Sequence, residues 1–341
     1  MTNPATGPLR DLARLPKAHL HLHLEAAVRP ATVQALAAEI DLVVAPMPTA
    51  GDFAAFADVF LGMIRMLALP GALRRVVHEA AEDAAADGAV YVELGVSPRF
   101  YASSYGSTEA ALAELADAAR EAGHATGVEV GLMVTVDRTE PVEAALELAR
   151  LAADHAGRGV VSLGLANNEV GFPAAPFAEA FAIARAAGLQ VTPHAGELLG
   201  PESVAEALDV LGADRIQHGV RVLEDADLTA RVAASGICLD VCPTSNTFLG
   251  LVPDVASHPL PQLLAAGVRC SINADDPTIF GVGVLDEYVL CRTEMGLDDD
   301  QLAACARTSI EHSSASAPTK ASALAGIEAW LAGAAPTKGH P

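Results

Sequence analysis

Four short segments of this 341-residue chain carry side chains that bind metals or move protons: His21-Leu22-His23, His194-Ala195-Gly196-Glu197, His218 and Asp275-Asp276. Three imidazoles and a carboxylate suit zinc, at about 2.0–2.2 Å per bond with one position left for water in a catalytic site. His21 and His23 are one residue apart, and on a strand such a pair points the same way with backbones about 6.6–7 Å apart. His19 shares their parity but lies deeper in the strand, so it is expected beneath the ion. His194 supplies the third nitrogen and Asp275 the carboxylate. Glu197 has two readings: an acid reaching a substrate ring nitrogen beside the ion, or a first-turn residue at the positive end of a helix. His218 suits acceptance of a proton from a metal-bound water, whose pKa falls to about 7; the alternative is capping the loop through Gly219. No lysine follows the run SLGLANNE to bridge a second metal, so one zinc ion per chain is expected. Cys238 and Cys242 lack the PCxxC spacing and accompanying HxE of a cysteine-ligated catalytic zinc site and read as buried strand residues.

Each of these segments follows an apolar or β-branched run and precedes a loop. Strands are expected near 18–24, 90–96, 128–136, 159–165, 189–193, 214–217, 237–242 and 268–273. Amphipathic or alanine-rich helices fall between them at 71–87, 107–125, 140–156, 174–187, 201–211, 225–235 and 258–266. Strands alternating with helices argue for a parallel sheet. Eight such units close into a (β/α)8 TIM barrel, in which all strand C-termini converge on one mouth. That fold takes roughly 250 residues. The surplus is expected as a helical insertion at 31–70, read as core packing or as a lid over the mouth, and as extra C-terminal helices at 283–334. No repeat or linker breaks the chain, so 1–341 is read as one domain.

A net charge of −22 and a pI near 4.7 oppose binding to nucleic acid or an anionic membrane, which needs a basic face. Five cysteines, an odd number confined to residues 238–305, suggest no disulfide framework and point to the cytoplasm. The N-terminus lacks an apolar signal region, and no uncharged apolar stretch reaches the ~18 residues of a membrane span. The expected partner is a small molecule, with oligomerisation left open.

Together PKAHLHLHLEAAVRP, YVELGVSP, TPHAGE, RIQHG and SINADDP resemble the adenosine deaminase family of the amidohydrolase barrels, over residues 12–332. The resemblance implies that His21, His23, His194 and Asp275 are zinc ligands. It implies that Glu197 protonates purine N1, that His218 orients and deprotonates the zinc water, and that Asp276 hydrogen-bonds N7. Hydroxide then adds to C6 and ammonia leaves. Two departures concern the substrate. The family's HLDG is HLEA here, placing Glu25 where an aspartate meets the ribose 5′-hydroxyl. Its DLAGDE is GLANNE, placing Asn167 where a glycine amide meets N3. EVGFP resembles the adenine-deaminase branch. Adenosine, 6-aminodeoxyfutalosine and adenine are thus the expected purine substrates, with Arg99 available to a carboxylate on an extended one. A barrel hydrolase of another amide, ring or ester, and a nucleoside-binding protein without turnover, are the competing readings.

Overall fold

The computed structural model describes residues 9–49 and 53–333. Eight strands form one sheet in sequential order: β1 Lys17–His23, β2 Ala89–Val96, β3 Glu129–Asp137, β4 Val160–Ala166, β5 Gln190–Ala195, β6 Arg215–His218, β7 Cys238–Val241 and β8 Arg269–Ile272. Every neighbouring pair is parallel, with registers such as Val92 opposite Val130 and Leu239 opposite Cys270. Just past β8, the Asp275 N–H donates to His21 O at 3.1 Å and the His23 N–H donates to Asp275 O at 3.1 Å. Those two bonds join the last strand to the first and close the barrel. The fold is the expected (β/α)8 TIM barrel, and each strand boundary falls within two residues of its expected place.

Between strands, helices such as Ala72–Ala86, Thr108–Thr126 and Val142–Asp154 turn their apolar faces to the sheet. Their caps explain their limits. Ser107 accepts the Ala110 N–H at 3.0 Å, and Gly127, at φ 77°, closes the same helix. The insertion after β1 holds α1 (Pro30–Glu39) and α2 (Phe53–Leu67). Val59, Met63, Met66 and Leu67 of α2 are buried in the core, whereas Phe56, Phe60 and Ile64 line the cavity at the mouth. Helices Val284–Thr293, Asp299–His312 and Ala317–Leu331 follow β8. The middle one packs on β8 and β1 and its Ser309 hydroxyl accepts the Ala18 N–H at 2.9 Å, so it covers the closing seam. Among the described residues no helix is long and apolar enough to cross a membrane.

The barrel floor is polar. Arg215 is fully buried between Glu93 and Asp240, donating to Asp240 Oδ2 at 2.9 Å. Ser162 and Tyr91 donate to Glu93 at 2.7 and 3.1 Å, and Ser271 donates to Asp240 at 2.7 Å. Both acids are thereby satisfied on several lone pairs, which a buried ion cluster requires. Arg215→Ala leaves two buried carboxylates unpaired and is expected to lower the unfolding free energy by about 3–5 kcal/mol. A urea midpoint within error of the parent protein would show that the floor carries no such load.

Candidate active site

The three candidate ligand histidines and Asp275 meet at the seam. His21 Nε2 lies 3.3 Å from His23 Nε2, which lies 3.3 Å from His194 Nε2. Asp275 Oδ1 stands 3.1 Å from His21 Nε2 and 3.3 Å from His23 Nε2. All four donor atoms fall within 4.8 Å of one another. Donors bound about 2.0–2.1 Å from one tetrahedral centre stand roughly 3.3–3.4 Å apart, so these edges fit zinc.

The far side of each imidazole decides which nitrogen is free. His194 Nδ1 faces Leu165 O at 3.0 Å and His21 Nδ1 faces Asp240 O at 3.4 Å. A ring that donates Nδ1–H to a carbonyl turns the Nε2 lone pair toward the ion. Cys242 Sγ also lies 3.3 Å from His21 Nδ1, in a second cluster with His218. Burial, helped by the charge of Asp275, pushes this thiol well above its ordinary pKa. Held as a thiol it is a poor ligand, and the His₃Asp cluster is the better cation site. His19 lies beneath as expected: buried and driven by desolvation to a pKa of about 3, it accepts the Ala274 N–H at 3.1 Å.

Electrostatics match the donor set. Burial works against a charge on His23, yet Asp275, Asp276 and Glu25 raise its pKa to about 9. A field that holds a proton there holds a divalent cation equally well. Asp275 also keeps its charge against burial, with His21, His23 and His218 drawing its carboxyl well below the ordinary range.

A cavity of about 370 Å³ opens above the cluster, lined by Glu25, Asn167, Glu197, His218 and Asp276 together with His23, His194 and Asp275 of the cluster. His218 has φ 63°, in the left-handed region. Strand alternation would turn it away from the face occupied by Arg215. This conformation instead brings it 4.7 Å from His21, ring to ring, with Nε2 3.4 Å from Glu197 Oε1. Glu197 is buried, and desolvation, then Asp275, Glu169 and Asp276, raise its pKa well above the ordinary value. Both effects favour its protonated form. Asp276 is pushed up in the same way by burial and Asp275, and its Oδ1 has no partner among the described residues. Such a carboxyl offers a donor to a basic ring nitrogen.

Glu25 accepts from the Tyr101 hydroxyl at 2.9 Å. Asn167 has φ 78°, the left-handed conformation a glycine would take there, and its amide donates to Asp137 at 2.9 Å rather than filling the cavity. Arg99 does not line the cavity; it pairs with Glu140 at 3.1 Å and Glu147 at 3.5 Å.

The sequence motifs alone assign no role to several supporting residues. Glu169, fully buried, accepts the N–H groups of Glu197 (3.2 Å) and Leu199 (2.7 Å) and the Ser203 hydroxyl (3.1 Å), fixing the loop that aims Glu197. The same loop requires Gly196, at φ 65°, because a Cβ there would lie 2.4 Å from Val204. Arg138 donates to His194 O at 2.7 Å. Glu169 closes the GLANNE segment at the end of β4, a place where its acid could have been noticed.

The adenosine deaminase family model matches residues 16–330. A putative adenosine/adenine deaminase from Streptomyces virginiae is 39% identical over 335 residues, covering 95% of this chain and 99% of that one. An aminodeoxyfutalosine deaminase from Streptomyces coelicolor is 38% identical, covering 94% and 87%. The crystal structure of an amidohydrolase from Burkholderia ambifaria with bound Zn superposes with TM-score 0.84 at 27% identity, covering 94% and 93%. With the barrel and its cavity, these likenesses settle the class: the chain belongs to the adenosine deaminase family and is a hydrolytic purine deaminase.

Proposed function

We propose that the substrate is a neutral 6-aminopurine nucleoside, adenosine first, deaminated at C6 with one zinc ion held by His21, His23, His194 and Asp275. The observation that carries this reading is the placement of Glu197, buried in the cavity wall beside His218 and the four-donor cluster. Zinc, when bound, supplies a Lewis acid and a water acidic enough to attack at neutral pH.

The chain's own groups do the rest. Glu197 gives its proton to N1, which makes C6 electron-poor. Asp276 donates to N7 and Asn167 faces the N3 edge, holding the ring flat. His218 orients the attacking water. That water's oxygen becomes the C6 carbonyl oxygen, and the proton on N1 stays in the product. Of the two water protons, one restores Glu197 and the other joins the departing amine, so ammonia leaves.

The substituent on N9 is read from charge. Among the described residues lining the cavity none is lysine or arginine, while Glu25 and Asp137 both line it. A substrate carboxylate within about 4–8 Å of one such acid costs about 2–4 kcal/mol at an effective dielectric near 20. With Arg99 committed to Glu140 and Glu147, 6-aminodeoxyfutalosine meets repulsion without a counter-charge. Free adenine is the second reading, favoured by Phe56, Phe60, Leu61 and Ile64, an apolar wall that offers sugar hydroxyls no partner. Five free cysteines, all buried, favour action in the cytoplasm.

Three measurements test this. kcat/KM for adenosine is expected to exceed that for 6-aminodeoxyfutalosine at least tenfold, a difference of about 1.4 kcal/mol. A preference for the charged substrate refutes the charge argument, a preference for adenine removes the sugar, and no turnover of all three removes the reading. Glu197→Gln should keep zinc and lower kcat by about 10²–10⁴. In the parent enzyme, activity is present while Glu197 is protonated and declines as pH rises through its elevated pKa. If the alkaline limb survives unchanged in Glu197→Gln, another group is the acid. Asp275→Ala should lose zinc, measured by elemental analysis, together with activity; full zinc content would displace Asp275 from the ligand set.

A further inference from the structure

His218 ends a chain of buried hydrogen bonds that leads away from the cavity. The short helix Pro243–Phe248 after β7 carries Asn246, whose Nδ2 lies 3.2 Å from His218 Nδ1. Asn246 Oδ1 lies 3.1 Å from His258 Nε2, and His258 Nδ1 accepts the backbone N–H of Leu260 at 3.1 Å. All three side chains are at most 2% exposed, and neither Asn246 nor His258 lines the cavity.

The direction of this chain follows from its far end. A backbone N–H only donates, so His258 Nδ1 must be bare. Burial lowers the His258 pKa to about 4, so the ring is neutral and its one proton sits on Nε2. That proton is donated to Asn246 Oδ1. The Asn246 amide is thereby oriented with its NH₂ toward His218 Nδ1, which must accept. Because Leu260 sets the first step, the amide cannot turn over without losing two buried bonds.

We propose that His258 and Asn246 are positioning residues that place the single proton of neutral His218 on Nε2, so that His218 meets the attacking oxygen as a hydrogen-bond donor. The proposal rests on the reading that His218 faces that oxygen. It changes the division of labour expected from the sequence: His218 holds the oxygen and steadies its developing charge, while proton uptake falls to Glu197, 3.4 Å away.

Ring-¹⁵N NMR of histidine-labelled, zinc-loaded protein tests it, with the His218 signals identified by their loss in His218→Asn. The expected spectrum has His218 protonated at Nε2 and bare at Nδ1. Asn246→Asp offers only acceptors, so it should move the proton to Nδ1. Its kcat should fall about 10²–10³-fold, the usual cost of one oriented oxyanion donor, with KM and zinc content little changed. His258→Gln places an amide NH₂ where Nε2–H stood and should retain far more activity than His258→Ala. A bare Nε2 in the parent protein overturns the proposal, and so does Asn246→Asp with the proton moved but kcat intact. If Asn246→Asp does not fold, the parent spectrum still decides. If no purine is turned over, the functional reading fails while the spectrum still reports the proton.

Discussion

The structure depends on one seam. Barrel closure between β8 and β1 runs through the backbone of Asp275, which is bonded to the carbonyl of His21 and the amide of His23. The peptide groups that close the sheet thus belong to three of the four residues whose side chains form the candidate cation site. Ligand geometry here is set by a strand ladder, not by a loop, and a ladder leaves little freedom. An ion bound there would tie the first strand to the last, so its binding energy would also count toward folding.

Beneath the seam the polar floor extends the same constraint downward. Arg215 joins Glu93 to Asp240, Ser271 joins Asp240 to Asn273, and Asn273 Oδ1 accepts the N–H groups of Leu20 and His21 at 2.7 and 3.2 Å. The Asp240 carbonyl, meanwhile, faces His21 Nδ1. Apolar packing would fill this space with less desolvation cost, since buried ion groups seldom add net stability. What the polar floor adds is direction: each hydrogen bond fixes an angle that a methyl group would leave free. A cation site with edges near 3.3 Å needs that precision more than it needs the last increments of stability.

Much of this was legible in the chain. Each strand was marked by a β-branched or apolar run ending in a loop signal, and the His-x-His pair, HAGE and Asp-Asp-Pro marked the strand ends that carry chemistry. The candidate metal, catalytic and purine-contacting residues come to one place because a barrel has one mouth, whereas Arg99 pairs with Glu140 and Glu147 away from the cavity. The replacement of glycine by Asn167 proved compatible with the same backbone, as asparagine tolerates a left-handed conformation. What escaped notice depends on pairings that no periodicity encodes. Glu169 is meaningful only once the loop after β5 folds down on it. Tyr101 meets Glu25 across 76 positions. Asn246 lies in a short helix inside a segment that reads as plain loop, and His258 resembles any histidine before a proline. The two-sided role of α2 was open for a related reason: helical spacing shows that a face is apolar, not whether it meets the core or a cavity.

The site also resolves an electrostatic conflict. A divalent cation draws protons off nearby acids, yet the role proposed for Glu197 requires it to remain a proton donor within reach of the same centre. An apolar box around Glu197 would raise its pKa but would also repel the polar purine edge and the water. Burial contributes most, and other carboxylates add to it. After desolvation, the groups that raise Glu197 are Asp275, Glu169 and Asp276. Asp275 serves twice, since its charge both favours the cation and discourages ionisation of Glu197. Glu169 serves twice as well, holding the loop through its hydrogen bonds while adding negative charge behind the acid. On the proposed reading, the carboxylates that favour a proton on Glu197 would also disfavour an anionic purine, so one arrangement would serve both ends.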